Sequence, residues 1–410
     1  MARGGRKKWQ NKTVYICTAE YKNNFETRYA IHSIHLTDLL SREEETRADE
    51  TKGDYSANSN KGGNLHIVDS INSSLIPRGM HCGVFGSQIL FAGGRDFYPG
   101  KRGETSRKIY VFETDPTVDP NPEIREYNPC FLQGKRDPFL VELKGNLYAL
   151  GGVYAGSTVY ESPCFEVFCK KTQRWYPKCN PPFFNEHVYL CGHRPPYLSC
   201  AIAGTKILVS CPNKPEVFCY DAAKLRCNDL GEWKILSGSD YGLPFIGNAL
   251  VLDLEDGTNI LFSSQFFHWY ILRHHHKIDR GIVPYRMTIN DSDSRISIKP
   301  IKTKALGREV VPPVFWSPTT SHSFVHLGGR KICCVLASQI SAEDGNSIDK
   351  MLIAFITFEF RCTTKSNDDD DDDDEFSVDN LTTRICEYDF SNESASSDIY
   401  HATLVGCFQR

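Results

Sequence analysis

Short apolar segments rich in Val, Ile, Phe and Tyr recur along this chain in a fixed order: a strand, a tight turn containing Gly, a second strand, a polar loop, then an aromatic-rich third strand with a fourth near it. The segments are punctuated by Gly, Pro, Asn and Asp clusters, and helical periodicity is nearly absent. The chain therefore reads as all-β. Met80 to Gly94 supplies two strands about a turn at Gly86-Ser87, and Lys108 to Glu113 supplies the third. The next unit is fuller: Phe139 to Gly152, then Phe165 to Phe168, then Gln173-Arg174-Trp175. Leu198 to Ser210, Val217 to Tyr220 and Trp233 make another, a looser one runs from Asn248 through Phe262, and a further one from His322 to Phe358.

The two ends complete the count. Thr13 to Cys17 and Tyr29 to Leu36 look like second and third strands without a first, whereas Tyr400 to Cys407 looks like a first strand with nothing after it. Joining them yields a sixth unit and closes a ring of sheets, which removes an open sheet edge.

A strand ending in Gly93-Gly94 or Gly151-Gly152, a later strand carrying Tyr110 or Phe165, and then Trp175 resemble kelch repeats, the blades of a β-propeller. Ser210-Cys211, Ser263-Ser264 and Ala337-Ser338 replace the glycine pair elsewhere. The divergent ends also resemble a propeller family of grasses. The resemblance implies a six-bladed kelch-like β-propeller of plant type, closed by pairing of the N- and C-terminal strands, and implies protein partners. Plant kelch proteins often carry an F-box, but no helical module precedes residue 13. A ubiquitin-ligase role would then need a separate adaptor. With 410 residues, each blade takes about 68, more than the roughly 50 of a kelch repeat, so insertions are expected. Residues 1–12 read as a basic flexible tail, 13–410 as one propeller, and 41–63 and 363–379 as polar insertions.

Several classes are excluded. The longest apolar run, Met351 to Phe360, is about half the length of a membrane helix and is interrupted by Glu359. The N-terminus is basic but lacks the apolar stretch of a secretory signal, so a cytoplasmic or nuclear location is expected. The 16 cysteines are irregularly spaced, with no Cys-x-x-Cys, and several sit inside apolar strands; they read as buried reduced thiols. The net charge of −4 contains the eight carboxylates of Asp368 to Glu375, without which the balance is +4. Nucleic acid is not the expected partner, because the basic cluster at Arg3, Arg6, Lys7, Lys8 and Lys12 is small.

In an antiparallel blade, the loop after the second strand and the connection to the next blade share one face. Pooling these loops gathers Arg95, Phe97, Tyr98, Lys101, Arg102, Arg107, Lys135, Arg136, Tyr154, Phe183, Arg194 and Tyr197. Cations interleaved with rings favour an acidic protein segment, held by charge-assisted hydrogen bonds and ring faces, with the chain's own Asp368 to Asp374 run as a competitor. His187, Cys191 and His193 lack a fourth ligand, His274-His275-His276 cannot all face one side of a strand, and His322 and His326 read as strand packing. No nucleophile or phosphate-loop signature is present, and neither is the Glu, Asp and His set, each four apart, of iron-binding plant kelch enzymes. The expected protein is thus a monomeric, non-enzymatic scaffold with no metal or cofactor; the rival readings are a ligase substrate receptor and a metal-dependent kelch enzyme.

Overall fold

Ile89 and Phe91 face one apolar layer and Leu90 faces the next, as the period of two along a strand requires. This is the plan of the whole computed structural model, which describes residues 12–22, 25–40, 65–97, 103–152, 164–185, 198–211, 215–223, 225–238, 242–245, 247–254, 258–264, 281–303, 305–317, 320–341, 348–363, 375–390 and 399–410. Where a blade is covered on both faces its strands are buried throughout, as is every residue of Ile109–Glu113 and of Phe165–Cys169, whereas the outer His66–Ser73 and Arg125–Glu126 contain no buried residue.

Six antiparallel sheets form the blades of a β-propeller. Blade 1 pairs Ile399–Gln409 with Thr13–Lys22, then Thr27–His35 and His66–Ser73. Blade 2 comprises His81–Phe85, Gln88–Ala92, Ile109–Glu113 and Arg125–Glu126, and blade 3 Arg136–Leu143, Asn146–Gly152, Phe165–Cys169 and Arg174–Pro177. Blade 4 has Ser199–Ala203, Lys206–Ser210, Val217–Asp221 and Trp233–Leu236, with the short Gly247–Asn248 added parallel at its first strand. Blade 5 has Leu250–Asp253, Asn259–Ser264, Ile282–Asn290 and Arg295–Pro300. Blade 6 has Ser321–Gly328, Lys331–Ser341, Ile348–Thr363 and Glu375–Asp389.

Among the described residues, an apolar cluster fills every junction between successive blades, including that between blades 6 and 1. The ring is closed by the chain ends. Val14 pairs with Gln409 and Lys22 with Ile399, and Thr13 and Arg410 exchange backbone hydrogen bonds of 2.8 and 2.9 Å. Ile399–Gln409 packs against the first strands of blades 6 and 2, as an innermost strand must.

Trp175 is buried between blades 2 and 3, with ring centroids of Phe131 and Phe168 at 4.9 and 5.4 Å and its Nε1 donating to the Pro129 carbonyl at 3.2 Å. The glycine pair of blade 2 has a steric cause. Gly93 and Gly94 have φ of +76° and +85°, and a Cβ on either would lie 2.5 Å from the Lys135 carbonyl oxygen or 2.6 Å from that of Arg78. Both oxygens belong to connectors between blades. In blades 4 and 6 the connector is held by serine instead: Ser210 Oγ accepts from the Leu243 N–H at 2.9 Å, and Ser338 Oγ donates to the Val314 carbonyl at 3.1 Å.

Strand polarity sorts the loops onto two faces. The turns at Gly86-Ser87, Lys144-Gly145 and Gly329-Arg330 share a turn face with the third-to-fourth-strand loops; the loops after the second strands and the blade connectors form the opposite, connector face. The expected insertion over 363–379 is narrower than the sequence indicated. Glu375–Asp389 is a strand from its first residue, Thr363 pairs with Glu375, and Phe376 stacks on Phe360 at 5.7 Å, because Phe376 and Val378 alternate onto the apolar side. The 1–11 tail, the 41–63 insertion and Asp368 to Asp374 lie outside the described residues. The third and fourth strands of blade 6 meet the turn face at Thr363 and Glu375: Ser341 pairs with Ile348 at the connector end, and the paired strands continue past Lys331-Glu359 to Thr363-Glu375.

Candidate functional site

The connector from blade 1 to blade 2 carries Arg78, and its backbone is fixed by a two-way bridge to Arg95, each N–H donating to the other's carbonyl at 2.8 Å. That bridge aims the Arg78 side chain across the connector face of blade 1. Its Nη1 donates to the Tyr400 hydroxyl and its Nη2 to the Lys22 carbonyl, both at 2.7 Å. The guanidinium carbon lies 5.2 Å from the ring centroid of Phe25, 5.4 Å from Phe97, 5.6 Å from Tyr400 and 6.0 Å from Tyr21, which is cation–π range for all four. Phe25 and Phe97 stack at 6.4 Å and 19°.

The chain spends conformational energy here. Phe25 has φ of +69°, an unfavourable backbone for a residue with a Cβ, and its ring is nevertheless 46% exposed. Tyr400, at the start of the closing strand, is 42% exposed. Behind them Tyr21 stacks on His401 at 5.6 Å and 10°, and Gln339 Nε2 donates to His401 Nδ1 at 2.8 Å. Burial pushes the Tyr21 hydroxyl up to about 12 and lowers the His401 imidazole, so both are neutral supports at neutral pH. Tyr29 anchors the connector from below, donating to the Pro77 carbonyl at 2.9 Å and accepting from the Met80 N–H at 2.8 Å. Along the same rim His81 Nε2 lies 3.8 Å and Arg136 Nε 3.3 Å from the Asp137 carboxylate.

The residues expected from sequence separate into three groups. Phe97 and the backbone of Arg95 belong to the Arg78 cluster, and Arg136 stands on the neighbouring rim. Arg107 is exposed but holds the Phe131 carbonyl through Nε at 2.6 Å. Lys135 and Phe183 are corrected: both are wholly buried and offer nothing to a partner surface. Lys135 Nζ pairs with Glu166 at 2.8 Å and donates to the Cys164 carbonyl at 3.1 Å, while Glu166 also accepts the Leu132 and Gln133 N–H groups. Such saturation is what allows a charge inside. Phe183 packs on Phe218 in the layer between blades 3 and 4. Tyr98, Lys101, Arg102, Tyr154, Arg194 and Tyr197 lie outside the described residues.

Sequence reasoning missed Arg78, Phe25, Tyr400, Tyr21 and His401. The rule that pools loops after second strands includes Phe25 once Thr13–Lys22 is read as a second strand, but Tyr400 enters the cluster only through ring closure. His187, Cys191, His193 and the His274 to His276 tract lie outside the described residues. His326 Nε2 is 2.8 Å from the Gly329 carbonyl, and His322 lies edge-on to Phe324. Among the described residues, no cluster of three or more His, Cys, Asp or Glu is placed to hold a metal ion, and no helix is long and apolar enough to cross a membrane.

A family model described as protein of unknown function, DUF1668, matches residues 11–384. The chain belongs to the DUF1668 family. The DUF1668 match spans all six blades but ends within Glu375–Asp389, before the closing strand. No curated protein matches the chain. Among solved structures, a Lactobacillus plantarum protein aligns at 9% identity and TM-score 0.40, covering 97% of this chain and 99% of its own. Citrobacter koseri AztD aligns at 8% and 0.36, covering 97% and 98%. YjhT aligns at 10% and 0.34, covering 69% and 97%. Likeness at this level carries no argument about what this DUF1668 member binds.

Proposed function

We propose that this propeller is a non-enzymatic protein-binding scaffold of kelch type that holds an acidic segment of a partner on its connector face. The observation that carries the reading is the Arg78 guanidinium set among Tyr21, Phe25, Phe97 and Tyr400, with two of those rings exposed and one held on a strained backbone. Exposed aromatics around a positioned arginine are the composition of interface hot spots, and the arginine favours a carboxylate over any cationic group. Kelch kinship is supported by the glycine pairs and by Trp175 in its blade junction. The described cysteines are free thiols, most of them buried, as suits a plant protein of the reducing cytoplasm or nucleus. A closed ring leaves no blade edge open at its seam, which suits a monomer.

The test is titration of the purified protein with fluorescent peptides of equal length, one rich in Asp and Glu with a single Phe and one with Lys in place of the acids. The acidic peptide should bind, and binding should weaken as salt rises, since screening acts within about 8 Å at physiological ionic strength. Phe25→Ser combined with Tyr400→Ser should weaken it about tenfold or more, roughly 1.4 kcal/mol. Equal binding of both peptides, or full binding by a folded double variant, would refute the reading.

A further inference from the structure

The second site lies on the turn face, where blade 3 meets blade 4. Cys169 ends the strand Phe165–Cys169 and stands opposite Asn146 in the register. Cys227, from the third-to-fourth-strand loop of blade 4, points its Sγ at Asn146 Oδ1, 3.4 Å away. Both cysteines therefore adjoin one asparagine, Cys169 across the strand pair and Cys227 through its sulfur. The loop bearing Cys227 is held against blade 3 by Lys178, whose Nζ donates to the Arg226 carbonyl at 3.1 Å, to that of Cys227 at 2.9 Å and to that of Asp229.

We propose that Cys169 and Cys227 form a peroxide-reactive dithiol that closes reversibly into a disulfide between blades 3 and 4. In the turn that follows Cys169, the Thr172 hydroxyl and the N–H groups of Lys171 and Thr172 favour its thiolate. Burial pushes the Cys169 thiol up, but these donors and Cys227 outweigh it and bring it down to about 7. Cys227 goes the other way, to about 11, through burial and its bond to Cys169. One sulfur is thus a nucleophile near neutral pH, and the other keeps its proton until called on. Cys169 itself is buried, at 6% exposure, and Cys227 beside it is half-buried, so a small peroxide would have to enter past Cys227.

The Cys169 thiolate attacks one oxygen of the peroxide. The O–O bond breaks, the sulfur is oxidised to sulfenic acid, and the departing hydroxide takes a proton to become water. Cys227 then releases its proton and attacks the sulfenic sulfur, the S–O bond breaks, and that hydroxide with the proton makes a second water. One hydrogen peroxide and two thiols become one disulfide and two waters; a dithiol reductant reverses the step. A second pair of cysteines, Cys17 and Cys82, lies in the layer between blades 1 and 2, where burial raises Cys17 well above its ordinary value. It serves as an internal control, as does the exposed lone thiol of Cys179.

The experiment treats the intact protein with hydrogen peroxide, blocks remaining thiols with iodoacetamide and maps a non-reducing digest by mass spectrometry. The expected result is a Cys169–Cys227 cross-link that appears before Cys179 oxidises, is absent for Cys17 and Cys82, and disappears with dithiothreitol. In Cys227→Ser, dimedone should trap Cys169 as sulfenic acid. If Cys169 and Cys227 stay reduced while Cys179 oxidises, or if Cys169 links to a different cysteine, the proposal is overturned. Mapping of the wild-type chain decides this whether or not the variant folds.

Discussion

His32 lies wholly buried between blades 1 and 6, its Nε2 3.0 Å from the Thr18 hydroxyl and its ring edge-on to Tyr388 at 4.9 Å. Burial first, and then the nearby Arg28 guanidinium, hold its pKa at about 3 against an ordinary value of 6.5. The native ring is therefore neutral, and the unfolded chain binds the extra proton as pH falls. His32's contribution to stability is complete above about pH 6.5 and is lost between there and pH 3, at up to ~1.4 kcal/mol per unit. His32→Gln keeps a polar partner for Thr18 without the titration. Urea unfolding at pH 7 and pH 4.5 should show its stability falling by about 2 kcal/mol less than that of the wild type. Trp175→Ala empties a site lined by Phe131 and Phe168 and should cost about 3 to 5 kcal/mol in chemical denaturation; a loss below about 1 kcal/mol would contradict its place in the junction. Trp175 was legible because its position follows the repeat. Lys135 was not: a cation in a loop reads as solvated, and only the folded register brings the Glu166 carboxylate to it.

The middle strands of the blades were the most legible elements, because they are apolar on both faces and lie between Gly, Pro and Asn clusters. The innermost strand of blade 1 was legible only as a remainder, the Tyr400 to Cys407 segment left over when five units had been laid out. The far limit of the 363–379 insertion was misjudged, since Glu375, Ser377 and Asp379 around Phe376 and Val378 hide the alternation that makes 375–379 a strand. Glycine pairs carry more than a family signature. Gly94→Ala would place a Cβ 2.6 Å from the Arg78 carbonyl on a residue with φ of +85°, so strain and displacement of the connector combine. The expected cost is about 1 to 3 kcal/mol, together with weaker binding of the acidic peptide, because the same connector aims Arg78. Unchanged peptide affinity in a variant of lowered stability would detach the connector from the site.

At the scale of the whole molecule, ring closure and the proposed binding cluster share one strand. Ile399–Gln409 seals the apolar layers against blades 6 and 2, and its first residues deliver Tyr400 and His401 to the Arg78 cluster. Deleting Tyr400 to Arg410 should cost several kcal/mol and promote association through the bared edge of Thr13–Lys22, read as a lower melting temperature and a larger species in size-exclusion chromatography. A monomer with unchanged melting would contradict the closed ring. Strand polarity alone was enough to pool loops onto the connector face; the Arg78 cluster on it was not legible, because Phe25, Arg78, Phe97 and Tyr400 come from four separate stretches that meet only when the ends pair. Amide hydrogen exchange of the intact protein with and without the acidic peptide tests this most directly. Added protection is predicted around Phe25-Glu26, Arg78-Gly79, Arg95 to Phe97 and Ile399 to His401, with none at the Gly86-Ser87 and Lys144-Gly145 turns. Protection confined to those turns, or absent from the Arg78 connector at saturating peptide, would contradict the account.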